Sequence, residues 1–165
     1  MENAYEFDLV AIGSGPAGQH AAIQAAKLGK RVALVEKQRG VGGVSVHLGT
    51  LPSKTFREAV ISLKRGTVQR SLSAAGADPI QLTMPMLLER VSSVIQEEQQ
   101  LIRSNLLRNN IKIFNGFASF INANTIAIDS PDDDRHITTS FTLLACGTKP
   151  VIPAGCPDQS NEEFP

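Results

Sequence analysis

The stretch that most constrains this chain runs from residue 7 to residue 54. A short apolar run, Phe7 to Ile12, leads into Gly13-Ser14-Gly15-Pro16-Ala17-Gly18. A second run, Arg31 to Val35, ends on Glu36. It is followed by a second glycine pair, Gly42-Gly43, and then by Gly49-Thr50-Leu51-Pro52-Ser53-Lys54. The first block is G-x-G-x-x-G set after a strand and at the opening of a helix. In that setting Gly13 allows the tight turn, Gly15 lets the backbone approach a pyrophosphate, and Gly18 lets helix and strand pack closely. Free N–H groups and the positive end of the helix dipole favour phosphate there, which makes residues 13–18 candidate cofactor contacts, Ser14, Pro16 and Ala17 included. The helix is expected over about Ala17 to Leu28, with alanines at 21, 22, 25 and 26, and Gly29 as its closing glycine. Glu36 stands 23 positions after Gly13, close to the acid about 20 residues on that accepts ribose hydroxyls. A carboxylate there repels a 2′-phosphate, so the pattern favours FAD or NAD over NADP.

Composition narrows the class. At 165 residues the chain is read as one domain with room for a core. Sixteen basic and sixteen acidic residues balance, so nothing suggests a nucleic-acid or membrane surface. No apolar run approaches the ~20 residues of a membrane span. The start, Met1-Glu2-Asn3-Ala4, lacks the basic and apolar regions of a signal peptide. Cys146 and Cys156 form no C-x-x-C pair, and Cys146, in an apolar run, reads as a small buried residue. Together these features suggest the cytoplasm. No histidine or cysteine pair has metal-ligand spacing, so no metal site is expected.

Further along, Ser53 to Gly66 reads as a helix, with Ser53 as N-cap, Phe56, Val60 and Leu63 at helical spacing, and Gly66 closing it. Residues 67–82 read as a loop with turn signals at Gly76, Asp78 and Pro79. A long amphipathic helix is expected over Met84 to Asn109, with Leu87, Val91, Ile95, Ile102 and Leu106 on one stripe. Ile111 to Asn115 is a third strand, and residues 117–142 alternate as a β-meander with an Asn-rich turn at 122–124. Pro131 to Asp134 reads as a solvated acidic turn. Phe141 to Cys146 is expected as a buried strand ending at Gly147, and the chain is turn-rich from Val151. His20 and His136 read as surface or polar-core residues. The fold class is α/β: a Rossmann-like domain with a parallel sheet, helices and an antiparallel meander.

The segment Gly42-Gly43 with Gly49-x-x-Pro52-Ser53-Lys54 resembles the flavoprotein disulfide reductases. In that family the matching segment carries two cysteines spaced C-x4-C before a Pro-Ser-Lys helix turn against the flavin. Here those positions are Ser45 and Thr50, which cannot form a disulfide, so dithiol chemistry is excluded. His47 with Gly49 to Lys54 resembles the transhydrogenase branch, where a threonine replaces the second cysteine and flavin passes hydride between NADPH and NAD. Ala145-Cys146-Gly147-Thr148-Lys149-Pro150 is similar to the later A-x-G-[ST]-x-P motif of the flavin domain. The resemblance implies FAD as cofactor and NAD(P)H as a substrate of the longer enzyme. It adds Lys37, Gly42, Gly43, Val44, Ser45, Gly49, Lys54, Phe117, Ala118 and Gly147 to the cofactor contacts. It places Lys54 near flavin N5, where a cation stabilises the reduced ring, with Thr50 in the place of the flavin-facing thiol. Ser45 reads as a pyrophosphate or backbone hydrogen-bonding group. His47 is a chemical acid–base candidate, but in the resemblance it stands for an asparagine and so reads as structural or cofactor-packing.

Three functions follow as expectations. The first is an FAD-dependent transhydrogenase, with residues 1–150 as its FAD-binding domain and 151–165 leading toward nucleotide-binding and dimerisation domains. On that reading the full-length enzyme is a homo-oligomer, and this stretch alone is monomeric and inactive, having no second GxGxxG. The second is a non-catalytic module binding FAD, ADP or NAD. The third, less favoured, is a dihydrolipoamide dehydrogenase-like reductase without its redox cysteines.

Overall fold

The computed structural model describes residues 4–73, 83–130, 134–149 and 151. The turn signals at Gly76, Asp78 and Pro79, the acidic residues Asp132 and Asp133, Cys156 and the stretch from 152 onward lie outside them. Among the described residues six strands form one sheet in the order β3-β2-β1-β6-β5-β4. Strands β1 (Phe7–Ile12), β2 (Val32–Glu36) and β3 (Lys112–Asn115) run parallel. Strands β4 (Phe117–Asn122), β5 (Thr125–Asp129) and the start of β6 (Arg135–Leu144) form the antiparallel meander. β6 serves both: Arg135 to Thr138 pair with β5, and Thr139 to Leu144 pair with β1 in parallel.

All five residues of β2 are buried, as expected of a central parallel strand covered on both faces. Alternation along β2 and from Leu9 to Ile12 of β1 sends side chains into two cores, with Phe7 at the start of β1 joining the side of Val10. Ala11, Val32 and Leu34 meet helices α1 (Pro16–Lys27) and α4 (Met84–Arg108) through Ala22, Ile102 and Leu106. Phe7, Val10, Ala33 and Val35 meet the meander through Ile126, Ile128 and Ile137. Ala22 is fully buried in α1, so a small residue sets how closely that helix lies on the sheet. Gly29 N–H bonds the Ala26 carbonyl and Lys30 N–H the Ala25 carbonyl, the paired bonds that close a helix at a glycine.

Three expectations change. The helix expected from Ser53 to Gly66 is α3 (Thr50–Ser73); the side chain of Leu63 is outside the described set. Ser53 lies inside its first turn and donates back to the Gly49 carbonyl at 3.0 Å, a local bond rather than an N-cap. The helix runs past Gly66 to Ser73, so residues 67–73 are helical rather than loop, and the ~1 kcal/mol a helical glycine costs does not end it. The strand expected at Phe141 to Cys146 is the end of β6, and it is only partly covered. Phe141 is 73% and Leu144 63% exposed, since β5 begins at Thr125, opposite Thr138, and no β5 residue lies beside the end of β6. Cys146 is exposed rather than buried, because β1 ends at Ile12 and no strand lies beside it.

Asp8 ties β1 to the entry of β2. Its carboxylate accepts the Arg31 backbone N–H at 2.8 Å and the Arg31 guanidinium at 3.0 Å. Hydrogen bonding from the Arg31 side chain, then from its backbone, lowers the Asp8 pKa from the usual carboxylate value. A lowered folded-state pKa gives stability that is present above the unfolded value and lost as pH falls through the folded one. Asp8→Asn is therefore expected to melt below the parent chain near neutrality, with the gap closing as melts are taken toward strongly acid pH. A gap constant with pH would exclude this role.

Candidate functional site

The crevice forms at the carboxyl ends of β1, β2 and β6. The chain leaves β1 on one side for β2 and returns on the other as β6, and such a switch point is where open α/β sheets bind ligands. Gly13 is pinned between the neighbouring strands: its N–H bonds the Val35 carbonyl at 2.8 Å, and Ala145 N–H bonds the Ile12 carbonyl at 2.8 Å. Its φ is +107°, and an added Cβ would be driven against the Ala145 carbonyl. Gly18 is buried, and a Cβ there would meet the Gly13 carbonyl oxygen. Gly15 differs, for an added Cβ meets nothing within 4 Å. It faces the opening. Pro16 is the first residue of α1, where its missing N–H costs nothing. The first helical bond is from Gln19 to the Gly15 carbonyl, which leaves the N–H groups of Ala17 and Gly18 at the mouth.

Glu36, ending β2, is only 6% exposed. Its Oε2 accepts the Ser14 N–H at 2.9 Å and the Ser14 hydroxyl at 2.6 Å, and its Oε1 accepts the Gln38 N–H at 3.0 Å. A carboxylate offers about four accepting positions, so one remains, on Oε1. Lys37 follows on the exposed side. Glu36 O receives the N–H of Gly116 at 2.9 Å, which brings Phe117 and Ala118, at the start of β4, beside this end of the sheet. Phe117 is 62% exposed, while Ala118 packs on the meander core. Gly147 is exposed two residues beyond Ala145, next to the Gly13 turn.

The second glycine pair closes over the first. Gly43, at φ +63°, lies so near Gly15 that an added Cβ would sit 2.8 Å from the Gly15 Cα. Gly42 N–H donates to the Ser14 hydroxyl at 2.9 Å. A one-turn helix α2 (Val44–His47) leads on to α3, with the Val44 carbonyl accepting Gly49 N–H at 2.7 Å. The Ser45 hydroxyl donates to the Gly42 carbonyl at 3.1 Å, the backbone half of its expected role. His47 Nε2 lies 3.2 Å from the Gly40 carbonyl, a loop contact in keeping with a structural histidine. Thr50 and Lys54 are exposed one turn apart on α3. Lys54 also borders a cavity of about 600 Å³ between α3 and α4, with Leu51, Glu58, Leu87 and Arg90.

The structure thus joins Gly13, Ser14, Gly15, Glu36, Gly42 and Gly43 directly, and sets Thr50 and Lys54 on the next element. Sequence reasoning missed Gln19, whose side-chain amide donates to the Ser14 carbonyl at 2.7 Å, and Gln38; neither carries a local signal. Among the described residues no three His, Cys, Asp or Glu side chains gather as metal ligands would. No helix among them is long and apolar enough to cross a membrane.

These residues fit a dinucleotide: open N–H groups and no Cβ at Gly15 for a diphosphate, and a buried carboxylate with a spare accepting position for a ribose hydroxyl. The family model for pyridine nucleotide-disulphide oxidoreductases matches residues 7–164. The chain belongs to that family. Among curated family members it is similar to a soluble pyridine nucleotide transhydrogenase of Mycobacterium bovis, 43% identical over 153 residues, 91% of this chain and 32% of that protein. It is also similar to the transhydrogenase of Chromohalobacter salexigens, 39% identical over 151 residues, again 91% of this chain and 32% of the relative. Among solved structures it is similar to the Cu(II) complex of the HOCl-induced flavoprotein disulfide reductase RclA from Escherichia coli. There the identity is 25% and the TM-score 0.73, over 92% of this chain and 30% of that one. The chain spans about a third of the length of the relatives it matches. The family and its flavoprotein neighbours imply FAD as the cofactor.

Proposed function

We propose that this chain is the FAD-binding portion of a soluble pyridine nucleotide transhydrogenase, residues 1–150 forming the binding domain and 151–165 leading toward nucleotide-binding and dimerisation domains. The observation that carries it is the double glycine cradle: Gly43 seated on Gly15, before the open N–H groups of α1 and beside the buried Glu36. The likeness to named transhydrogenases supports the reaction class, and the reading extends it to Si-specific hydride passage between NADPH and NAD in the cytoplasm. When bound, FAD supplies the hydride-carrying ring. Ala17 and Gly18 N–H donate to the diphosphate, Glu36 Oε1 accepts a ribose hydroxyl, and Phe117 and Ala118 border the adenine. Lys37, Val44, Gly49 and Gly147 line the same route. Lys54 supplies positive charge at the reducible end of the flavin, and Thr50 offers a hydroxyl where a thiol would otherwise stack.

Residues 1–165 hold no second GxGxxG, so hydride donor and acceptor lack an oriented site. The chain alone is expected to retain FAD through desalting, about one per chain, and to show no bleaching with NADPH. Lys54→Met should leave retention intact and lower the reduction potential of the bound flavin. Rapid bleaching by NADPH would overturn the division of labour, and a folded chain that retains neither FAD nor ADP would overturn the binding role. Retention of NAD instead of FAD would favour a plain dinucleotide module.

A further inference from the structure

We propose that Ser14 acts as a positioning residue: its hydroxyl aims the Glu36 carboxylate at the nucleotide ribose and fastens the Gly42–Gly43 loop to the first glycine turn. This rests on the dinucleotide-binding reading above. Ser14 is fully buried, so its side chain cannot touch a ligand in the crevice. A hydroxyl has one proton to give and two lone pairs. Here the proton goes to Glu36 Oε2 at 2.6 Å, and a lone pair receives the Gly42 N–H at 2.9 Å. The Ser14 N–H also bonds Oε2, at 2.9 Å. That oxygen carries two donors from a single residue, so the carboxylate plane is fixed, and the one remaining accepting position lies on Oε1 opposite the Gln38 N–H.

Glu36 has no ion pair among the described residues. A buried carboxylate without a cation depends on its donors for both charge compensation and orientation. Removing the Ser14 hydroxyl frees Oε2 from one of its two donors and strips the buried Gly42 N–H of its acceptor. The carboxylate then turns, and either oxygen can meet the ribose. The predicted loss is one of discrimination at the ribose edge, with a loosened Gly42.

The test uses the 165-residue chain and Ser14→Ala, which removes one atom from a packed site and adds none. ADP and 2′-deoxy-ADP are titrated calorimetrically into both proteins. The parent chain is expected to prefer ADP by about tenfold or more, the usual size of a hydrogen bond to a charged group, and the variant by less than about threefold. A merely structural serine would weaken both ligands alike, so an unchanged preference overturns the ribose role. Amide exchange on the ligand-free chains gives the second reading. The Gly42 N–H is expected to exchange at least about tenfold faster in the variant. Equal protection overturns the loop role. If the parent chain binds neither nucleotide, the dinucleotide reading itself fails and takes the ribose role with it, while the exchange measurement still decides the loop role.

Discussion

Gly13→Ala is expected to cost the fold about 3 kcal/mol or more, on the sum of backbone strain and overpacking. The residue stands at φ +107°, and its added Cβ would lie 2.7 Å from the Ala145 carbonyl carbon and 3.2 Å from the Cys146 Cα. Neither wall can retreat without breaking ladder bonds, because Gly13 is held to Val35 and Ala145 to Ile12. For a domain of this size the melting temperature should fall by roughly 10 °C. The informative control is Gly15→Ala. Its Cβ meets nothing within 4 Å, so the chain should melt within about a degree or two of the parent while dinucleotide binding collapses, the methyl standing where the diphosphate must approach. Equal melting of the two variants would mean that the turn is not locked between β2 and β6.

Glu36→Ala is expected to show the second large effect, and it falls on stability and binding together. The substitution leaves the Ser14 N–H, the Ser14 hydroxyl and the Gln38 N–H without their acceptor. Unsatisfied buried donors cost about 1–3 kcal/mol each, though water entering the vacated space offsets part of it, so a net loss of about 3 kcal/mol is expected in urea unfolding. ADP affinity should drop by about two orders of magnitude, the ribose contact being lost along with the order of both glycine loops. Glu36→Gln separates the two terms. It keeps the volume but presents an amide NH2 to N–H donors on one side, so binding should suffer nearly as much while stability recovers in part. A Glu36→Ala chain with parental stability would show that the loops do not depend on this carboxylate.

The sequence made the parallel half legible because its signals are local. Phe7 to Ile12, the glycines, the alanine-rich helix and Glu36 follow one another within 30 residues, and the stripe Leu87, Ile102, Leu106 needed only helical periodicity. What it hid depends on distant partners. β6 reads as two strands because it changes partners midway, at Thr138 and Thr139, and no feature of residues 138–141 announces that. Cys146 looks buried in an apolar run, yet its exposure follows from where β1 stops. In the site, the glycines and Glu36 were legible as motif members. The bond from Gly42 to Ser14 spans 28 positions and that from Ser14 to Glu36 spans 22, and no local pattern encodes either.

The double partnership of β6 also bears on how the chain reaches its native state. β1 gains its second neighbour only when Thr139 to Leu144 arrive, more than 130 positions after Phe7. Contacts of that separation carry a large loop-closure entropy and slow folding. During synthesis the strands β1, β2 and β3 can assemble first, with an open hydrogen-bonding edge on β1 waiting for the end of the meander. Until β6 docks, Val10 and Val35 lack their cover of Ile126, Ile128 and Ile137, and that exposed valine face is the interval in which the nascent chain is most vulnerable to aggregation.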